Sequence, residues 1–262
     1  MKRLLILFVA AIGLQSCEIK EEIRFNADGS GTYGIGFDMS EMMKMGDSND
    51  SVPQQKVVDT LINFATFLDQ KKDSIATLSL EEQERLESLR PLQFKMNMNE
   101  EAKEMRMDIA YKFNTIDDIY KLKEVMEIAD IKELGALDPT GGLTPANETE
   151  TDSVTQKDGM SEIFGMAESF NTSFSATKFT RNITEKALAE SIKTRDTTLK
   201  KDDPFADMIR FTQVYHFPFK IKSVSNPNAK ILSDFKGVEI QANMYEMNTD
   251  PKYFNLEVLF EE

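Results

Sequence analysis

Cysteine is all but missing from this chain: one residue, Cys17, in 262. A single thiol closes no intramolecular disulfide and builds no multi-cysteine metal site. Histidine is as scarce, with His216 alone, so the usual His/Cys metal sites cannot be assembled. A lone histidine can still act as a base, but no G-x-S-x-G nucleophile motif accompanies it. Basic residues are outnumbered, 31 Lys and Arg against 45 Asp and Glu, for a net charge of −14. That balance repels phosphate backbones and argues against a nucleic-acid partner. Long apolar runs are missing too, with one short exception at Leu4–Leu14 (LLILFVAAIGL). As a helix this run rises about 16 Å, short of the roughly 30 Å hydrocarbon core, so it does not read as a membrane span.

What stands at the N-terminus instead has the order of a secretory leader. Lys2 and Arg3 precede the apolar run, which predicts a signal peptide over residues 1–16. Leu14-Gln15-Ser16-Cys17 follows and resembles the lipobox of bacterial lipoproteins. The resemblance implies that Cys17 is acylated with diacylglycerol and becomes the first residue of the mature chain. Gln15 is bulkier than the commonest lipobox residue there, although one large Gram-negative phylum tolerates it. The competing reading is an ordinary leader with a chance cysteine nearby. Against it stands the placement of the only cysteine at the end of the apolar run. Losing Lys2 and Arg3 takes the net charge from −14 to −16. Acyl chains, not a helix, then hold the protein to its membrane.

Beyond Cys17, Ile19, Glu21, Ile23 and Phe25 alternate with Lys20, Glu22, Arg24 and Asn26, the period of a half-buried strand. The turn chemistry of Asn26-Ala27-Asp28-Gly29-Ser30-Gly31 joins it to a second alternating run at Tyr33, Ile35, Phe37 and Met39. A loop over 46–55 is followed by helical spacing from Val57 to Leu68, then a shorter helix from Leu80 to Arg90 stopped by Pro91. A second hairpin runs through Leu92–Met98 and Met105–Phe113, and Thr115 with Asp118 predicts a capping box opening a helix to about Ala129. Residues 135–162, poor in large apolar side chains, read as a disordered insertion. A strand around Phe170–Ile183, a short helix at Thr184–Ile192 and three strands ending at Met244 and Phe260 complete the pattern. The fold class is α+β, antiparallel hairpins with helices on one face. Region 17–134 is a hairpin and helix unit; region 163–262 is mainly β and either completes that domain or forms a second.

Several motifs have plainer readings. Gly29-x-Gly31-x-x-Gly34 matches a dinucleotide fingerprint, but a strand follows where a helix is needed, so it reads as a turn and implies no cofactor. Met96, Met98, Met105 and Met107 lie on the apolar parity of a hairpin and read as core filler, not as a copper site. Asp47-Ser48-Asn49-Asp50 lacks the glycine and distal glutamate of a calcium loop. His216 is out of phase with Tyr215 and Phe217 and is placed on the opposite sheet face. Carboxylates are abundant, yet none is singled out as catalytic.

Lys20-Glu21-Glu22, close behind Cys17, resembles the surface-export tag of lipoproteins in that same phylum; alternatively these are ordinary strand residues. The tripeptide Asp-Ser/Thr followed by an apolar residue or Thr is similar to an O-glycosylation sequon there. It occurs at Ser51, Thr60, Ser74, Ser153 and Thr197. Thr60 and Ser74 fall on or beside the first helix, leaving Ser51, Ser153 and Thr197 as loop candidates. The early Asp28-Gly29-Ser30-Gly31 turn also resembles the LppM-type lipoprotein domain. So do the late Tyr215-His216-Phe217-Pro218 strand, Ser225-Asn226-Pro227-Asn228 and Gly237-Val238-Glu239-Ile240. Phe219 departs from the glycine more typical after Phe-Pro. That resemblance implies an antiparallel α+β module with lipid or glycolipid contact and no catalytic residues. The expected function is a non-catalytic, outward-facing binding module on the outer membrane, contacting a glycan, lipid or envelope protein. The alternatives are a carboxylate-dependent hydrolase and an assembly factor for an envelope complex.

Overall fold

A computed structural model describes residues 16–45, 57–129 and 165–261. Residues 1–15, the 46–55 loop and the 135–162 insertion lie outside the described residues. The first strand, β1 (Cys17–Phe25), turns into β2 (Gly31–Asp38) through Gly29, whose φ of 86° demands a residue without a Cβ. Asp28 Oδ1 accepts from the Ser30 backbone N–H at 3.1 Å and from its hydroxyl at 2.7 Å, fixing the turn. Gly31 is required for another reason: a Cβ there would lie 2.0 Å from the Arg24 carbonyl oxygen.

Short helix α1 (Ser40–Met45) precedes β3 (Val57–Asn63), α2 (Phe64–Gln70), α3 (Lys72–Ile75) and α4 (Leu80–Glu87). Then come β4 (Leu92–Asn99), β5 (Glu104–Phe113), a 3-10 turn (Ile116–Lys121) and α5 (Leu122–Ala129). After a 3-10 turn at Gly165–Ser169 follow β6 (Phe170–Phe174), β7 (Lys178–Ile183) and α6 (Glu185–Lys193). The chain ends with β8 (Ile209–His216), β9 (Ile221–Val224), β10 (Lys230–Ile231), β11 (Gly237–Asn243), α7 (Met244–Thr249) and β12 (Leu256–Phe260).

These elements build two sheets. Eight strands run in the order β10-β11-β8-β1-β2-β5-β4-β3, antiparallel except for the parallel pair β1–β8; four antiparallel strands run β6-β7-β12-β9. The C-terminal strands β8 and β11 therefore extend the sheet that the N-terminal hairpin begins. One inward row crosses six strands through Val238, Tyr215, Ile23, Tyr33, Tyr111 and Leu92, all buried. Helices cover one half of this face with Phe67, Leu68, Leu86, Leu122 and Val125. The four-stranded sheet covers the other half, and aromatic rings fill the seam: Phe25 stacks on Phe174 at 4.3 Å, and Phe179 and Phe260 approach Phe217 at 5.1 and 4.9 Å. Each such buried ring contributes about 1.5–3 kcal/mol through the water it sheds.

The fold is α+β with helices on one face, as the alternation predicts, and three local expectations are corrected. Val57–Asn63 is a strand paired with β4, not the start of a helix. Its apolar positions fit either period, and the branched Val57, Val58, Thr60 and Ile62 favour the extended form. The helix begins only at Phe64, where the Asn63 side chain accepts from the Thr66 N–H. The stretch Phe170–Ile183 is a hairpin, not one strand. Met244 opens a helix, because Asn243 and Glu246 cap it reciprocally. The capping box of Thr115 and Asp118 is present, although it opens a 3-10 turn that leads into α5.

Candidate functional site

A groove of about 520 Å³ opens where the two sheets diverge. Its floor is the inward face of β1 and β8, where Ile19 is registered with Phe211 and Glu21 with Gln213. One wall is the 3-10 turn with Met166 and the start of β6 with Phe170; the next is α6, presenting Ala187; the last is α7 and the segment after it, with Met247, Pro251 and Phe254. The turn and α6 are tied together, since the Thr184 N–H donates to the Ser169 carbonyl at 2.9 Å. The Thr184 hydroxyl then caps α6 by accepting from the Ala187 N–H. The lining is mostly apolar and of a size that takes a small amphiphile. Its ionic groups are Glu21, Glu168, Glu190 and Asp250 against Lys186.

Beneath the groove lies a buried ion pair. Glu21 and Arg181 are each 1% exposed, and Arg181 Nη2 donates to Glu21 Oε1 at 2.5 Å. Tyr33 donates its hydroxyl to the same oxygen at 2.6 Å. Arg181 Nη1 donates to Thr172 Oγ1 at 3.1 Å, and the guanidinium sits 4.5 Å from the Phe170 ring centre. Burial opposes the charge on Arg181, but the combined pull of Glu21, Tyr215, Tyr33 and Tyr120 outweighs it and raises the arginine pKa further. Burial, and then the negative charge of Glu21, push the Tyr33 hydroxyl well above its ordinary value, so it stays a donor. Tyr215 is raised as well, chiefly by burial, and donates to Gln213 Oε1 at 2.7 Å. Two polar atoms of the pair have no partner among the described residues: Glu21 Oε2 and Arg181 Nε. Glu21 lines the groove and Arg181 does not.

The residues singled out by the sequence fall in different places. Cys17 is the first residue of β1, 9% exposed, with its N–H donating to the Met208 carbonyl at 2.9 Å. No linker separates the cysteine from the sheet. Lys20, Glu21 and Glu22 do not share a face. Lys20 and Glu22 pair at 2.7 Å on the outer face of the eight-stranded sheet, while Glu21 belongs to the core. Partial burial pulls Glu22 upward, but the hydrogen bond and charge of Lys20, with Arg24 and His216, hold it below the usual carboxylate range. His216 is on that outer face, 3.5 Å from Glu22; burial, then the Arg24 charge, lowers its pKa against the opposing pull of Glu22. Met96, Met98, Met105 and Met107 are registered on the inward face of β4 and β5 and are partly buried. Thr197 is exposed in the loop after α6, and Thr60 lies on β3. Ser51, Ser153 and Asp47–Asp50 lie outside the described residues. No helix among the described residues is long and apolar enough to cross a membrane.

Sequence reasoning placed Glu21 on the inward parity of β1 but did not draw the consequence. A carboxylate between Ile19 and Ile23 needs a cation, and Arg181 occupies the matching anomaly on β7, between Phe179 and Ile183. Two opposite charges on two inward parities were the available signal.

No protein-family model matches the chain, and no curated protein matches it. Among solved structures, the folded domain of Mycobacterium tuberculosis LppM, determined by NMR, is similar over 95% of this chain and 92% of its own. Identity is 7% and the TM-score 0.34, a likeness in the general course of the chain.

Proposed function

We propose that this protein is a lipid-anchored envelope lipoprotein, held to the outer membrane through Cys17, whose groove binds the apolar part of an amphiphile without catalysis. The observation that carries this reading is the groove itself: apolar walls from four elements around a floor whose buried carboxylate is already tied to Arg181. A carboxylate so engaged is poorly placed for acid–base work and well placed to fix a ligand. The leader and the lone cysteine support the anchor. Outward exposure rests on the Lys20-Glu21-Glu22 resemblance, which requires these residues to be read before β1 docks. Exposed Thr197 is the described candidate for glycosylation, alongside Ser51 and Ser153.

The test is native mass spectrometry of the lipoprotein released from detergent micelles. One retained amphiphile per chain is expected, and Ala187→Trp, which fills the groove from α6, should abolish it. Adducts unchanged in that variant would refute groove binding. Anchoring is tested separately: Cys17→Ala should abolish palmitate labelling, and continued labelling would refute it.

A further inference from the structure

The lone oxygen of the buried pair points to the chemistry of the ligand's head. Glu21 Oε1 already accepts from Arg181 and Tyr33, whereas Oε2 is shielded from water and has no partner among the described residues. A buried acceptor of this kind is costly unless something donates to it. Among the described residues, the side chains that donate to this carboxylate, Arg181 and Tyr33, do so to the other oxygen. Of the two unpartnered atoms, only Glu21 Oε2 belongs to a residue lining the groove. The other charges of the lining agree in sign: Glu168, Glu190 and Asp250 stand against Lys186. An anionic head entering this groove meets repulsion at the rim and a carboxylate oxygen, an acceptor like itself, at the floor.

Resting on the groove reading above, we propose that the groove selects amphiphiles with a hydrogen-bond-donating, non-anionic head, a hydroxyl or an ammonium, which donates to Glu21 Oε2 while the chain lies along Ile19, Phe211, Met247 and Phe254. Fatty acids and phosphate monoesters are excluded. Arg181 and Tyr33 hold the carboxylate in place through its other oxygen, so the acceptor is pre-oriented before the ligand arrives.

The experiment uses the full-length lipoprotein reconstituted in phosphatidylcholine vesicles. It is irradiated with hexadecyl probes that carry a mid-chain diazirine and end in an alcohol, a primary amine, a carboxylate or a plain methyl group. Cross-links are mapped by peptide sequencing to Met166, Phe170, Ala187 and Met247. The alcohol or the amine should label these residues about tenfold or more over the carboxylate and the headless chain, the factor one hydrogen bond to a charged group supports. Which of the two dominates tells a neutral from a cationic ligand. Glu21→Gln, which sets an amide donor beside the oxygen that Tyr33 and Arg181 use, should erase the preference. Should that variant fail to fold, the ranking of heads on the unaltered protein decides. Equal labelling by all four probes overturns the head assignment and leaves the groove reading standing. Labelling by none of them at the groove overturns both.

Discussion

Removing either charge from the Glu21–Arg181 pair should cost far more than removing both. Arg181→Met keeps the bulk beside Phe170 but leaves a carboxylate 1% exposed with no counter-charge. Breaking a buried pair from one side costs about 3–5 kcal/mol. Glu21→Leu strands the guanidinium and also takes the acceptor from the Tyr33 hydroxyl, adding about 1–3 kcal/mol for a buried unpaired donor. We therefore predict that Glu21→Leu is the worse single change. The double variant carries no buried charge and retains only the Tyr33 defect. Adding Tyr33→Phe should bring the triple variant to within about 1–2 kcal/mol of the parent, because apolar replacements of buried pairs are often close to neutral. With no tryptophan in the chain, urea unfolding is followed by far-ultraviolet circular dichroism. A slope of about 2–3 kcal/mol per molar turns a 4 kcal/mol loss into a midpoint shift of about 1.5–2 M. Single variants losing under about 1 kcal/mol, or a double variant no better than the worse single, would refute the reasoning.

Further predictions concern the first hairpin, one cap and the histidine. Gly31→Ala drives a Cβ into the Arg24 carbonyl, whereas a Cβ on Gly34 meets nothing nearer than 3.7 Å. The first should cost about 2 kcal/mol or more and the second under about 1 kcal/mol, read as midpoint shifts in the same urea assay; equal effects would contradict the register. The Lys121 side chain and the Thr115 and Asn114 N–H groups lower the Asp118 pKa to about 2. The cap's contribution is then complete above the ordinary aspartate range and lost as pH falls toward that value. Asp118→Ala should cost about 0.5–2 kcal/mol at pH 7 and progressively less as pH falls through the folded value. A cost independent of pH would count against the cap. His216, depressed in the folded state, should titrate below 6.5 as a single imidazole resonance. Because the unfolded chain takes up the proton more readily, stability falls as pH drops through the folded value, and His216→Gln should remove that loss. A midpoint at or above 6.5 would show the outer face to be fully hydrated there.

Much of the fold is legible in the chain because its strongest signals are local. The two hairpins follow from strict alternation around Asp28-Gly29-Ser30-Gly31 and across Leu92–Phe113, and the cap at Thr115 follows from Asp118 three residues on. Val57–Asn63 was misread because apolar residues at 57, 58, 61 and 62 satisfy a helix and a strand alike, and only pairing with β4 decides. The parallel contact of β1 with β8 leaves no mark in any window of sequence. The site lay half in view: the inward parity of Glu21 was visible, but its partner on β7, 160 residues away, is supplied by tertiary packing alone.

The parallel pairing of β1 with β8 also sets the timetable of folding. Glu18 and Thr212 are 194 positions apart, yet their side chains bond across neighbouring strands near the middle of the large sheet. Until β8 exists, β1 has an open edge, and until β7 exists Glu21 has no cation to accompany it inward. The first half of the chain supplies five of the eight strands, β1-β2-β5-β4-β3, but leaves β1 without its neighbour β8 and without the four-stranded sheet that covers that half of the face. Loop closure over such distances is slow, which places this fold among those that form in milliseconds to seconds. A truncation that removes β8 should yield a soft, protease-sensitive chain and not a smaller folded unit. A sheet completed only by the last quarter of the chain cannot close until nearly all of it has been made.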